Sequence, residues 1–132
     1  MVIDTSALLA ILQNEPECDE FLEAIDEAAT RVISVATFVE ISMVVESRRG
    51  AEGLREMDLL FDRANIQIID VDLEQGKRAR HAFRRFGKGF HPAGLNFGDC
   101  FAYALAEVRG EPLLFKGQDF PQTDVMPAVP LL

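Results

Sequence analysis

The stretch from Asn96 to Ala106 reads Asn-Phe-Gly-Asp-Cys-Phe-Ala-Tyr-Ala-Leu-Ala, and it predicts an apolar helix with one acid in its first turn. Apolar residues recur at three- and four-residue spacing, which indicates a face that packs on a core. That predicted face comprises Phe97, Phe101, Ala104, Leu105 and Val108. Asp99 lies close to it, because three residues span less than one helical turn. The helix therefore holds a carboxylate next to the expected core.

Short strands and helices alternate along the rest of the chain. The predicted strands are residues 1–4, 31–34, 66–71 and 113–115, and the predicted helices between them are 7–12, 18–29, 35–48, 51–64 and one from 73 to about 86. This alternation implies βαβ units and a parallel β-sheet flanked by α-helices on both faces. We predict one α/β domain over residues 1–132. Its ligand site is expected beyond the carboxyl ends of the strands.

The composition fits a packed single domain. The chain has 132 residues and 48% hydrophobic content, which is enough for one core. No apolar run approaches the ~18 residues that span a bilayer, and the first residues lack the pattern of a signal peptide. The two cysteines, Cys18 and Cys100, are too few for a disulfide framework. We therefore expect a cytoplasmic protein that does not act on membranes.

The charge is unevenly distributed. A net charge of −9 argues against a nucleic-acid ligand, but residues 75–98 contain no acid and several bases. These bases form a candidate phosphate-binding strip. With one further lysine after the last strand, the candidate contacts are Arg78, Arg80, Arg84, Arg85, Lys88 and Lys116. The alternative is a solvated basic helix face that offsets an acidic body.

Four acids fall where the predicted fold places one edge of the sheet. Asp4 ends the first strand, and Glu40 lies two turns into the helix after the second. Asp99 opens its helix, and Asp119 follows the fourth strand by a few residues. A parallel sheet can bring all four together at the carboxyl ends of its strands.

Each acid also has a structural alternative. Asp4 could cap the next helix, Asp99 could complete a capping box with Asn96, and Asp119 could be a turn residue. Glu40 is harder to explain in this way, because its helical neighbours are largely apolar and no Lys or Arg lies within one turn. A buried carboxylate in that setting needs a cation or a shared proton.

Together the four acids indicate a divalent-metal site. Packed carboxylates repel one another unless a cation neutralises them. Mg²⁺ and Mn²⁺ prefer hard oxygen ligands and keep waters that leave room for phosphates, whereas the Cys and His residues lack zinc-ligand spacing. A water activated by the metal could then attack a phosphodiester.

Four blocks of sequence carry a family resemblance. They are Val-Ile-Asp-Thr-Ser-Ala at 2–7, Ser-Val-Ala-Thr-Phe-Val-Glu at 34–40, Leu-Asn-Phe-Gly-Asp-Cys-Phe-Ala-Tyr-Ala-Leu-Ala at 95–106 and Leu-Leu-Phe-Lys-Gly-Gln-Asp-Phe-Pro-Gln-Thr-Asp at 113–124. In this order and spacing the chain resembles the PIN-domain family, and within it the VapC-type toxins of bacterial type II toxin–antitoxin systems. The resemblance covers essentially the whole chain.

The resemblance implies a Mg²⁺- or Mn²⁺-dependent endoribonuclease that cleaves tRNA or rRNA. The family's acidic quartet matches Asp4, Glu40, Asp99 and Asp119, with Asp4 and Asp99 as the direct metal ligands and the other two bound directly or through water. Thr5 or Ser6 matches the small hydroxyl residue beside the first acid, and Asn96 supports the third. The implied partners are an RNA substrate, a cognate VapB-type antitoxin, a second copy of the chain in a homodimer, and operator DNA only through the antitoxin.

Two other functions were weighed against this reading. A non-catalytic binding module that acts through antitoxin and operator-DNA complexes would tolerate loss of Asp99, but it gives no reason for the setting of Glu40. A phosphotransfer enzyme with Asp4 as nucleophile commonly has a second Asp two residues on, and Ser6 occupies that position.

Overall fold

The computed structural model describes residues 1–131 and contains four short parallel strands and five helices. The strands are β1 (Val2–Ile3), β2 (Val32–Ser34), β3 (Gln67–Ile69) and β4 (Leu113–Leu114). The helices are α1 (Thr5–Leu12), α2 (Cys18–Glu27), α3 (Val35–Arg63), α4 (Leu73–Phe86) and α5 (Phe97–Arg109), followed by a short 3₁₀ helix, Phe120–Gln122. The predicted α/β class and the predicted elements are confirmed, with strands shorter than expected.

The sheet has the strand order β3-β2-β1-β4, and every pairing is parallel. Strands β2 and β3 lie successively further from β1 on one side, and β4 lies on the other side of β1. The boundary between β1 and β4 is therefore the point where the strand order reverses, which is where ligand sites of such sheets lie. The Asp4 N–H donates to the Leu114 carbonyl at 2.9 Å and extends the pairing to this edge.

Helices cover both faces of the sheet, as the pattern predicted. Side chains of a strand alternate between faces, so Val2, Val32 and Leu113 join the buried cluster with α4 and α5. Their neighbours Ile3, Ile33 and Leu114 join the cluster with α1, α2 and α3 on the opposite face. Two cores of similar extent thus hold a sheet whose strands are only two or three residues long.

Local sequence signals explain the helix boundaries. Gly50 adopts φ 62° and ψ −152° inside α3 and separates the two predicted helices there, a conformation that glycine adopts without steric cost. Asp72 caps α4 through the Gln75 N–H at 2.8 Å, as predicted. Beyond α5, the tail makes a single parallel bridge from Pro127 to Leu113, the short edge pairing that its prolines predicted.

One expectation about α5 is wrong. Ala104 and Leu105 are buried as predicted, but Phe97 is 78% exposed. The buried side of the first turn is Gly98, because Glu40 of α3 lies directly against it. Small residues allow the closest approach of neighbouring elements, so the helix turns Gly98 inward and leaves Phe97 at the surface.

Within residues 1–131, none of the helices is long and apolar enough to cross a membrane.

Candidate active site

Asp4 lies immediately after β1 and is 4% exposed. Its Oδ2 accepts hydrogen bonds from the Ser6 N–H at 3.0 Å and from Ser6 Oγ at 2.6 Å. Asp4 is therefore the N-cap of α1, as the alternative reading proposed. Both hydrogen bonds go to one oxygen, which leaves Oδ1 available to a ligand.

The two hydroxyl residues beside Asp4 each hold a different acid. Ser6 orients Asp4, and Ser6 Oγ in turn accepts from the Lys116 N–H at 2.9 Å, which ties the ends of β1 and β4 together. Thr5 Oγ1 donates to Glu40 Oε1 at 2.6 Å. The predicted supporting roles of Thr5 and Ser6 thus have a structural basis in these contacts.

Glu40 reaches the site from α3 and is half-buried, rather than fully buried as its apolar neighbours suggested. One of its oxygens accepts from Thr5, and the carboxylate lies where a Cβ on Gly98 would be. Gly98 is a position that sequence reasoning missed. Its signal was present in the sequence as a glycine inside an otherwise apolar, Ala-rich helix.

Asp99 occupies the first turn of α5 in a complete capping box. Asn96 Oδ1 accepts from the Asp99 N–H at 2.9 Å, and Asp99 Oδ2 accepts from the Asn96 N–H at 3.0 Å. The capping role and the site role are compatible, because the box engages only one carboxylate oxygen. Asn96 also fixes the direction of the Asp99 side chain.

Electrostatic interactions couple Asp99 to the other three acids. Burial, and then the negative charges of Asp4, Glu40 and Asp119, raise the pKa of Asp99 to about 7, while a hydrogen bond from Asn96 opposes the rise. Burial also raises the pKa of Asp4, against hydrogen bonds from Ser6, and the charge of Glu40 adds to the rise. Asp119 is exposed and precedes the 3₁₀ helix. Burial and negative charge at this edge therefore make ionisation of Asp4 and Asp99 less favourable.

The donor set fits a hydrated divalent cation. Among residues 1–131, no three Asp, Glu, His or Cys side chains are gathered tightly enough to enclose an ion by themselves. Mg²⁺ usually takes one or two carboxylates and keeps several waters. One carboxylate oxygen each of Asp4 and Asp99 takes no part in the hydrogen bonds described above, and a cation bound beside them would relieve the repulsion at this edge.

The predicted basic contacts divide into two groups. Three form salt bridges with acids of the chain: Arg78 with Glu74 and Glu107, Arg85 with Asp124, and Lys116 with Glu15 and Glu17. The other three, Arg80, Arg84 and Lys88, are exposed and form no salt bridge within residues 1–131. Sequence reasoning could not separate these groups, because most of the acidic partners are distant along the chain.

Comparisons with known proteins show the family of the chain. The family model described as "PIN domain" matches residues 1–126. The chain belongs to the PIN-domain family. Among its relatives, "Ribonuclease VapC" of Mycolicibacterium smegmatis is 53% identical over 125 residues, which are 95% of this chain and 97% of the relative. "Ribonuclease VapC30" of Mycobacterium tuberculosis is 49% identical, with 95% of each chain covered.

Solved structures show the same fold. The chain matches the Mycobacterium tuberculosis VapC20 structure, described as a sarcin–ricin loop cleaving toxin, with a TM-score of 0.72 at 14% identity, covering 96% of this chain and 98% of the other. It matches a toxin–antitoxin complex from Klebsiella pneumoniae with a TM-score of 0.67 at 18% identity, covering 90% and 88%. This PIN domain is thus an RNA-cleaving enzyme of the VapC toxin type, a class that is generally dependent on a divalent metal and that pairs with VapB antitoxins.

The Glu40–Gly98 contact gives a first prediction. We expect Gly98→Ala to lower kcat/KM for RNA cleavage by about 10- to 100-fold, the loss typical of disturbing the support of a metal site. The new methyl group overlaps the Glu40 carboxylate and must displace it, whereas alanine favours the helix. Thermal unfolding should show a folded protein. In a Glu40→Ala background the same change should have little further effect, and an equal loss in both backgrounds would show that Gly98 does not act through Glu40.

Proposed function

We propose that the single domain of residues 1–132 is a Mg²⁺- or Mn²⁺-dependent endoribonuclease toxin whose metal site is formed by Asp4, Glu40, Asp99 and Asp119. The observation that carries the proposal is the meeting of Asp4, Glu40 and Asp99 at the reversal point of the sheet. Glu40 accepts a hydrogen bond from Thr5, the neighbour of Asp4, and lies against Gly98, the neighbour of Asp99. Repulsion between these carboxylates contributes to the raised pKa of Asp99. A divalent cation resolves this repulsion, and a binding module without turnover has no need of it.

In this proposal Asp4 and Asp99 bind the ion directly, and Glu40 and Asp119 bind it directly or through water. A divalent ion bound there would polarise a water for attack on the phosphodiester and would neutralise charge on the leaving oxygen. Ser6 and Asn96 hold the two direct ligands in place through the contacts described above. Thr5 orients Glu40, because its hydroxyl donates to the carboxylate.

RNA is expected to approach over the exposed cations of α4 and of the loop that follows it. Arg80, Arg84 and Lys88 are the favoured phosphate contacts, since their charges are not matched by salt bridges in the part of the chain described. Arg78, Arg85 and Lys116 contribute to the local potential but must share their charge with acidic partners. Replacing an unpaired cation should weaken RNA binding across sequences and reduce its salt dependence.

The partners proposed for this chain follow from its family. They are tRNA or rRNA as substrate, a cognate VapB-type antitoxin that neutralises the toxin, a second copy in a homodimer, and operator DNA only through the antitoxin. The Klebsiella pneumoniae relative described as a toxin–antitoxin complex supports an antitoxin partner. We propose that the chain acts on this RNA in the cytoplasm.

The direct test is cleavage of total RNA by the purified chain with Mg²⁺, Mn²⁺ or EDTA. We expect discrete cleavage sites with either metal and none with EDTA. Mapping the new ends identifies the RNA and the cleaved position. Persistent cleavage in EDTA would contradict the metal site, and absence of cleavage with both metals on total RNA would favour the binding-module alternative.

A further inference from the structure

An apolar cavity of about 460 Å³ opens between α4 and α5. Residues that line it include Gly76, Ala79, Arg80 and Phe83 of α4 and Phe97 and Phe101 of α5. Phe97 is 78% exposed, and its ring meets that of Phe101 edge to face, with centroids 4.9 Å apart. Phe83, which also lines the cavity, is exposed as well, and exposed apolar groups that lie together rather than singly mark a binding surface.

The charge around this cavity indicates what it binds. Arg80 lines the cavity, and Arg84 lies one helical turn further along α4; both belong to the acid-free stretch 75–98. Neither forms a salt bridge within residues 1–131, whereas the chain as a whole carries a net charge of −9. The surface therefore combines flat apolar rings with unmatched positive charge, the combination that recognises an aromatic base and its phosphates.

The cavity lies across α5 from Asp99. Phe97 and Asp99 belong to the same first turn of α5 but on opposite sides of it, and the helix with its side chains is about 10–12 Å across. A strand with about 3.4 Å between stacked nucleotides would cover that distance in about three nucleotides. A base bound at Phe97 would thus lie close to the phosphate held at the acids.

We propose that this cavity binds one unpaired base of the RNA substrate, stacked on Phe97, with Arg80 and Arg84 holding the adjacent phosphates. The proposal rests on the ribonuclease function and adds a requirement for the substrate. A base inside a duplex has both faces covered by its neighbours, so only a loop, bulge or single strand can enter. The enzyme accordingly selects RNA with an unpaired base within about three nucleotides of the cleaved bond.

The test is a double-mutant cycle between protein and RNA. Short single-stranded RNAs, each with one abasic nucleotide at a different distance from the mapped cleavage site, are bound to wild type and to Phe97→Ala in EDTA, which stops cleavage. We expect Phe97→Ala to weaken binding of intact RNA about 10-fold and to have no effect on the one RNA that lacks the stacked base. Leu59→Ala, at an exposed apolar position on α3, is the matched control and should bind as wild type.

A second variant, Gly76→Leu, fills the cavity and leaves Phe97 unchanged. A Cβ at Gly76 meets no atom within 4 Å, and leucine is a good helix former, so Gly76→Leu should fold and lose a similar 10-fold in affinity. Equal affinity of both variants and wild type would overturn the proposal. The proposal would also be overturned if Phe97→Ala changed the oligomeric state and that change accounted for the whole loss of RNA affinity. The surface would then be an interface between copies of the chain. If wild type neither binds nor cleaves any RNA, the ribonuclease function itself fails, a result distinct from the first two.

Discussion

Replacing Asp99 by Asn lowers kcat/KM for RNA cleavage by at least about 10²-fold, the loss typical of removing one group that stabilises transition-state charge. The substitution removes a charged metal ligand while the side-chain oxygen can still accept the hydrogen bond from the Asn96 N–H. The fold should therefore persist. Cleavage of a fixed RNA in Mg²⁺, measured alongside thermal unfolding, checks both expectations.

The same substitution should stabilise the metal-free protein near pH 8. Asp99 is ionised there against three neighbouring carboxylates and partial burial, and the amide carries no charge to repel. Asn96→Ala is the informative comparison, because it removes the cap but keeps the charge, and it should destabilise the protein by about 1 kcal/mol. Full cleavage activity in Asp99→Asn would contradict a metal-binding role for this residue.

The second large effect is a metal-dependent stability that grows with pH. The folded chain raises the pKa of Asp99 from 3.8 to about 7, so it binds that proton more tightly than the unfolded chain does. This contribution is complete below about pH 4 and is lost as pH rises through 7. Asp4 is shifted in the same direction. The metal-free protein should therefore unfold at a lower temperature at pH 8 than at pH 5.

A divalent ion reverses this loss. It favours the ionised carboxylates, so its affinity should rise as pH passes 7. At 100 times its Kd, a metal adds about 2.7 kcal/mol to stability, which is roughly 10 °C in Tm for a domain of this size. Thermal scans at pH 5 and pH 8, with Mg²⁺ or with EDTA, measure the difference. An equal metal-induced shift at both pH values would show that the titrating acids do not bind the ion.

The sequence predicted the placement of the acids because strand ends and helix starts carry local signals. Asp4 before Thr5 and Ser6, and Asn96 three residues before Asp99, are capping patterns that fix where α1 and α5 begin. Alternation of strands and helices then placed these starts at one edge of a parallel sheet. Asp4 and Asp99 are helix caps in the structure, and capping is compatible with the metal-binding role that we propose for both.

The orientation of Phe97 could not be obtained in this way. A helical pattern counts apolar residues, and by that measure Phe97 and Phe101 form an inward face. The opposing surface, however, is Glu40 of α3, which leaves room only for Gly98. The rotation of α5 about its own axis is therefore set by the fit of Gly98 against Glu40, and these two residues are distant in sequence. The salt bridges of Arg85 and Lys116 with distant acids were hidden for the same reason.

The central claim, that four acids form one divalent-metal site, is tested most directly by titrating Mn²⁺ into the metal-free protein at pH 8 in a calorimeter. The account predicts one strong binding event in wild type and a 10- to 100-fold weaker one in Asp99→Asn and in Asp4→Asn, with Glu111→Gln, an acid at the opposite end of β1 near Met1, binding as wild type. Equal Mn²⁺ affinity in wild type and both aspartate variants would contradict it.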